Sequence, residues 1–262
     1  MNSNTNFYRI GRVRIAITDE ERTVKFVKEA ILERLKGYIC ISNMRTVSIA
    51  NKDDKYQETM ENSLMNTPDG TPLVWCGHWW GLKEVNRVCG PHLFTRLLQE
   101  KDDNLKHFFL GDTEETLLAL EKSVVNKYGA KVVGTYSPPF KPLEQYDIES
   151  IARMINESGA TLVWTSLRAP KQDYLGEMLV PHLNNGVIVI GVGAAFRCEI
   201  GEISKPDGFL QKIGLAGLLF IIKRENTSLW KELKWYTMES INLLKYFVTI
   251  KWRKNRGIKH FE

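Results

Sequence analysis

His107-Phe108-Phe109-Leu110-Gly111-Asp112-Thr113-Glu114-Glu115 is the stretch that decides how this chain reads. Four residues with an apolar, aromatic character are too few for a helix and suit a buried strand. The chain then leaves through glycine and enters a stretch that reads as helix through Lys127. The same unit recurs downstream. Residues 131–135 read as a strand and 145–158 as a helix. Thr161-Leu162-Val163-Trp164-Thr165 is the next strand, 172–183 a helix, and 187–192 a further buried strand. Regular strand–helix alternation implies a mostly parallel sheet covered on both faces, an α/β, Rossmann-like fold. Ligands of such sheets bind outside the carboxyl ends of the strands.

Toward the N-terminus the pattern continues less regularly. Thr18 and Glu21 have the spacing of a capping box. Val24, Val27, Ile31 and Leu35 then recur at helical spacing, which predicts a helix over 19–36. Residues 38–42 read as a short strand and 53–65 as a polar helix. Residues 72–76 read as a strand or a helix start, and 92–99 as an amphipathic helix. Toward the C-terminus, Pro206-Asp207-Gly208 breaks the chain. This divides it into an α/β core over 1–205 and an appendage over 206–262.

The chain has 262 residues, and 36 Lys and Arg stand against 31 Asp and Glu, a mild excess that does not call for nucleic acid as a partner. The excess sits in the appendage. From Lys223 onward ten Lys and Arg face only Glu225, Glu232, Glu239 and Glu262. Trp230, Trp235, Tyr236, Tyr246, Phe247 and Trp252 are interleaved with them. Bases mixed with interfacial aromatics suit an anionic membrane surface first. Packing of a basic helix on the body is the next reading, and stacking on RNA the weakest. The longest apolar run, 213–222, falls short of the ~20 residues that span a bilayer. The first fifteen residues lack the apolar core of a signal peptide. Cys40, Cys76, Cys89 and Cys198 are scattered, as small core residues in a reducing compartment would be. The expectation is a protein made in the cytoplasm and peripheral to the inner face of the cell membrane.

Thr67-Pro68-Asp69-Gly70 places a carboxylate in what reads as a tight turn. Proline presets φ and glycine accepts a left-handed conformation, so Asp69 should stand at a fixed, partly exposed corner. That suits a general base, although most such tetrapeptides are only turns. Three loops follow strands. In the first, Asp112 and Glu115 read as a capping box. In the second, Arg168, Lys171 and Gln172 precede a helix and could hold a diphosphate, or simply form a charged surface loop. The third, Gly191-Val192-Gly193-Ala194-Ala195-Phe196, lacks the third glycine and the position of a dinucleotide fingerprint. No nicotinamide cofactor is expected, but Gly191 and Gly193 can let backbone approach a nucleotide or sugar closely. There is no P-loop, no G-x-S-x-G elbow and no D-x-D triplet. The five histidines, at 78, 92, 107, 182 and 260, lack metal-site spacing. Neither a metal nor a cofactor is expected.

Read together, these pieces resemble the WecG/TagA/CpsF family of bacterial glycosyltransferases. The resemblance runs from about Ile10 to Trp235. It is carried by Ser42-Asn43, Thr67-Pro68-Asp69-Gly70, Gly81, Asn86-Arg87-Val88-Cys89-Gly90, Phe109-Leu110-Gly111, Val133-Gly134-Thr135, Ala169-Pro170-Lys171-Gln172 and the stretch from Ile190 to Phe196. The resemblance implies an inverting, metal-independent transfer from a UDP-sugar to a sugar on an undecaprenyl-diphosphate lipid, in the assembly of teichoic acid, common antigen or capsule. It places the catalytic aspartate on Asp69, the positioning asparagine on Asn43, the following arginine on Arg87 and the glutamine on Gln172. It also implies that the appendage brings phosphate-binding arginines to the membrane. Arg87, Lys171 and the basic tail are the cations available to a leaving diphosphate.

The chain departs from the pattern at several points. Ile41 replaces a threonine, and Arg197 replaces an aspartate. The usual Glu-Trp and arginine are lost around Ala216-Gly217 and Phe220, leaving Lys223, Arg224, Lys231 and Lys234 as substitutes. Arg197 is therefore expected to contact the donor, as a partner for an acidic sugar. Self-association is left open. The rival reading is a non-catalytic subunit that binds a nucleotide sugar or lipid, and a dehydrogenase is a distant third.

Overall fold

The computed structural model describes residues 6–203. The appendage, with its bases, aromatics and apolar run, lies outside the described residues. An antiparallel hairpin, β1 (Phe7–Ile10) and β2 (Val13–Ala16), opens the described chain. The main sheet is made of β3 (Gly37–Ser42), β4 (Met65–Pro68), β5 (Lys106–Gly111), β6 (Lys131–Tyr136), β7 (Leu162–Ser166) and β8 (Ile188–Gly191). They are all parallel, in the order β4-β3-β8-β7-β5-β6. The α/β expectation holds.

Helices cover both faces: α1 (Glu20–Leu32), α2 (Met44–Ala50), α3 (Asp54–Asn62), α4 (Thr71–Trp80), α5 (Gly90–Gln99), α6 (Glu114–Tyr128), α7 (Ile148–Ser158), α8 (Lys171–Leu179) and α9 (Ala195–Glu199). The central strands β3, β8 and β7 are buried along almost their whole length because each of their faces meets a different helix layer. Ile39, Ile41, Phe109, Leu162, Trp164, Ile188 and Ile190 join the residues of α1, α5, α6 and α9 in one core. Alternate residues, such as Tyr38, Cys40, Phe108, Val163 and Val189, join α7 and α8 in the other. Trp164 is fully buried, with its ring edge-on to Phe94 at 4.8 Å between centroids. Relative to alanine, an indole in such a core contributes about 3–5 kcal/mol. Its Nε1 donates to His107 Nδ1 at 3.0 Å. Burial lowers the His107 pKa to about 4, so this histidine is a neutral core residue.

Several local expectations are corrected. The hairpin and α2 are too short to carry a long periodic pattern, so periodicity does not predict them. Asp19, not Thr18, caps α1 by accepting from the Arg22 N–H. Thr113, not Asp112, caps α6 by accepting from Thr116. Asp53 caps α3 by accepting from the Tyr56 N–H. Of the two readings of residues 72–76, the helix start holds, within α4. The helix expected over 172–183 ends at Leu179, and a 3-10 turn follows over Val180–His182. Thr67-Pro68-Asp69-Gly70 is not a left-handed turn. Thr67 and Pro68 end β4, Asp69 follows, and Gly70 is extended at φ −178° where it caps α4.

Strand order positions the site. After β3 the chain passes to the face of α8, where α3 packs on α8. After β8 it passes to the opposite face, where α9 packs on α5 and α6. Neighbouring strands whose chains part in this way leave a crevice at their carboxyl ends.

Candidate active site at the carboxyl edge

Ser42 of β3 pairs with Pro68 of β4, so the next residues, Asn43 and Asp69, emerge side by side. The Asp69 N–H donates to the Ser42 carbonyl at 2.6 Å and ties the two strand ends together. Asn43 caps α2. Its Oδ1 accepts from the N–H groups of Arg45 and Thr46 at 2.9 and 3.2 Å, and Thr46 closes a capping box through the Asn43 N–H. A side chain at Gly70 would meet Asn43 at 3.9 Å, an ordinary contact that confirms how closely the two loops pass.

Arg87 returns to this point because Val88 N–H donates to the Pro68 carbonyl at 2.9 Å. Arg87 Nε and Nη2 both donate to Asp69 Oδ1, at 3.0 and 2.9 Å. The two side chains are only about a fifth exposed, at 22% and 19%. Arg87 Nη1 is buried without a hydrogen-bond partner among the described residues. Burial pushes the Asp69 carboxyl above its usual range, while Arg87, the Gly90 backbone N–H at the start of α5, and His92 pull it back. The result is a carboxylate more basic than one in water, held by one cation. Gly90 and His92 reach it only because α5 starts there. A proline after glycine, Pro91, is the sequence signal for that start. His78, by contrast, is bonded to the Val85 carbonyl at 2.7 Å.

A second group forms at the ends of β7 and β8. Gln172, buried in the first turn of α8, accepts from the Gly193 N–H at 3.1 Å. Gly191 lies flat against its amide: a Cβ there would come within 2.7 Å of Gln172 Nε2. Gly193 needs its φ of +57°, and its carbonyl accepts from Ser166 Oγ at 2.6 Å. The glycines therefore serve a clamp between α8 and the loop after β8. Cys40 pairs with Gly191 across β3 and β8. The two groups thus stand two strand spacings apart, about 10 Å.

Lys171 and Arg197 stand outside both groups. Lys171 Nζ donates to the Lys141 carbonyl at 2.9 Å and to the Tyr146 hydroxyl at 3.1 Å. Arg197 is paired twice with acids of its own chain. It takes Asp112 through Nε at 3.0 Å and Nη2 at 2.7 Å, and Glu202 through Nη1 at 3.4 Å. No sequence spacing announces the Asp112–Arg197 pair, whose members lie 85 residues apart. Asp112 and Arg168 both adopt positive φ, 64° and 63°, at the carboxyl edge, where backbone strain tends to gather at functional loops. Among the described residues, no three His, Cys, Asp or Glu side chains are grouped to hold a metal ion. No described helix is long and apolar enough to cross a membrane.

The fold and crevice define an α/β protein with a buried carboxylate–guanidinium pair, Asp69 and Arg87, at the carboxyl edge of its sheet. The chain matches the model of the Glycosyl transferase WecG/TagA/CpsF family over residues 8–256, and it belongs to that family. It is therefore a glycosyltransferase. It is also similar to the N-acetylglucosaminyldiphosphoundecaprenol N-acetyl-beta-D-mannosaminyltransferase of Bacillus spizizenii, with 22% identity over 219 residues, covering 82% of each chain.

Proposed function

We propose that this glycosyltransferase moves a sugar, with inversion, from a UDP-sugar to a sugar carried on undecaprenyl diphosphate, and that Asp69 is the general base. The pairing of Asp69 with Arg87 carries the reading. Both guanidinium N–H groups fall on Oδ1. Oδ2 is then the oxygen that accepts the proton of the acceptor hydroxyl as that hydroxyl attacks the anomeric carbon. One carboxylate suffices for such a displacement, and the diphosphate leaves on the opposite side. Asn43 sets the loop against which Asp69 rests. The Gln172 clamp shapes the backbone of Gly191 and Gly193, where the donor would lie. Lys171 is met only by neutral acceptors among the described residues. Its charge, with that of Arg87, is available to the developing diphosphate. The acceptor assignment is supported by the Bacillus spizizenii relative, named for a diphosphoundecaprenol-linked N-acetylglucosamine. This places the reaction in assembly of cell-envelope polysaccharide.

The test is a panel of UDP-sugars offered with undecaprenyl-diphosphate-linked N-acetylglucosamine, with product mass and anomeric NMR as readouts. Asp69→Asn is expected to fold normally and to lose about 10²–10⁴ in kcat. EDTA is expected to leave the rate unchanged. Near-normal turnover in Asp69→Asn, or a retained anomeric configuration, would contradict the mechanism.

A further inference from the structure

The first turn of α8 carries two buried polar residues in succession, Gln172 and Asp173. Gln172 belongs to the clamp on Gly193. Asp173 is 3% exposed and has no part in the chemistry described so far. It ties α8 to two other elements. The Tyr56 hydroxyl of α3 donates to its Oδ2 at 2.5 Å, and Cys40 of β3 is its other side-chain hydrogen-bond partner. Cys40 pairs with Gly191 across β3 and β8, and Gly191 lies against the Gln172 amide. These contacts close a ring from Asp173 through Cys40, Gly191 and Gln172 back to Asp173. One turn further along, α8 is held as closely. A Cβ at Gly176 would meet the Tyr38 Cβ at 3.0 Å, and Glu177 accepts from Thr59 Oγ1 at 2.7 Å. In a seat packed this tightly, the first turn of α8 cannot move without moving Gln172.

We propose that Asp173 is a positioning residue for the donor: its uncharged carboxyl seats the first turn of α8 on α3 and β3 and so keeps the Gln172 amide on the Gly193 N–H. This rests on the reading that the donor lies along Gly191 and Gly193. Burial pushes the Asp173 carboxyl up to about 7, against its Tyr56 and Cys40 hydrogen bonds. Ionisation would leave a buried charge among groups that offer it no cation. From α3 it meets Tyr56, and from β3 Cys40 and Tyr38. On α8 itself it acts on Tyr174, and Glu177 adds a second acid beside Cys40 and Tyr38. Asp53 and Lys55 stand beyond Tyr174, with Lys55 Nζ 5.3 Å from the centre of that ring. Glu149, Arg153, Glu157 and His182, on other elements packed against α8, do not act on Asp173. An uncompensated charge is costly in a packed interior, so above about pH 7 the turn should shift and loosen the clamp.

Two readouts on the full-length chain test this. One is the Gly193 amide proton resonance followed by NMR against pH, and the other is the Kd for UDP. In the wild type the resonance should leave its hydrogen-bonded position with a midpoint near about 7. In Asp173→Asn, which keeps an acceptor for Tyr56 and cannot ionise, it should stay. Between about pH 6 and 8 the ratio of the wild-type Kd to the Asp173→Asn Kd should rise about fivefold, the worth of one neutral hydrogen bond. Taking the ratio cancels the titration of UDP itself. Tyr56→Phe removes a hydrogen bond that favours the charged form, so it should raise the midpoint. Asp173→Ala removes both hydrogen bonds without adding a charge, and it should bind UDP weakly at every pH. Melting curves show that the variants fold; Asp173→Asn and Tyr56→Phe suffice if Asp173→Ala does not. A Gly193 resonance that titrates alike in wild type and Asp173→Asn, or in neither, would overturn the proposal. So would a folded Asp173→Ala that holds UDP as tightly as Asp173→Asn, because charge alone would then explain the pH effect. If none of these proteins binds UDP, the donor reading fails, while the Gly193 titration still decides whether Asp173 seats the clamp.

Discussion

Replacing Arg87 by methionine removes the cation from Asp69 while keeping a side chain of similar length. The two groups meet at 2.9 Å and are each about four-fifths buried. Unit charges about 4 Å apart interact by roughly 4 kcal/mol at an effective dielectric constant of 20. Partial exposure and relaxation reduce this, and an arginine neighbour typically lowers an aspartate pKa by about 1–3 units. The sign follows from the chemistry. Asp69 works ionised, and burial already holds its pKa above the ordinary value. Without Arg87 it rises further, so the acid limb of kcat/KM should move up by about 1–3 pH units. Activity lost at neutral pH should return in part at alkaline pH. Arg87→Lys should restore most of the limb, because it restores a charge, but not the paired N–H geometry. The assay is kcat/KM against pH with saturating acceptor. If Arg87→Met lowers the rate evenly at every pH and leaves the limb where it was, then Arg87 does not tune the base.

Gly191→Ala forces the Gln172 amide out of a 2.7 Å contact and breaks its bond to the Gly193 N–H. A cost of about 1–3 kcal/mol and a raised KM for donor are expected. In a Gln172→Ala background the same change should cost almost nothing, which a double-mutant cycle measures; additive effects would dismiss the clamp. Asp173, on α8 beside Gln172, is buried and accepts from the Tyr56 hydroxyl at 2.5 Å. Burial pushes its carboxyl up to about 7, against the Tyr56 and Cys40 hydrogen bonds. The folded state therefore holds a proton that the unfolded chain releases near pH 4. Stability should fall as pH rises from about 4 to about 7, by a few kcal/mol in order of magnitude. Asp173→Asn should flatten that fall in urea titrations at pH 5 and 8; an unchanged slope would mean that Asp173 titrates normally.

The core was legible because its signal is local. Alternating apolar strands and helices from Phe108 to Ile190 need only neighbours in sequence to be recognised. Asp69 was legible as a candidate from Thr67-Pro68-Asp69-Gly70, but for a reason the structure replaces. It is fixed by pairing of β3 with β4 and by the start of α4, not by a left-handed glycine. Asn43, expected to position substrate, is engaged in capping α2. Its capping partner Thr46 gives little signal in the sequence, because the short helix behind it shows barely two turns of pattern. Arg197, expected to partner an acidic sugar, is paired with Asp112 and Glu202 of its own chain. Asp112 neutralises it from a strand end far away in the chain.

By itself, the sequence determined that the chain would form a parallel sheet with a crevice at its carboxyl ends, because hydrophobic periodicity is a property of adjacent residues. It also determined which short motifs would stand on strand ends. Only the tertiary structure decided which polar groups meet. Asp69 pairs with Arg87, Arg197 with Asp112, and Gln172 with Gly193, because the order β4-β3-β8-β7-β5-β6 brings those loops together. Strand order arises from packing the whole sheet at once, and no spacing along the chain encodes it.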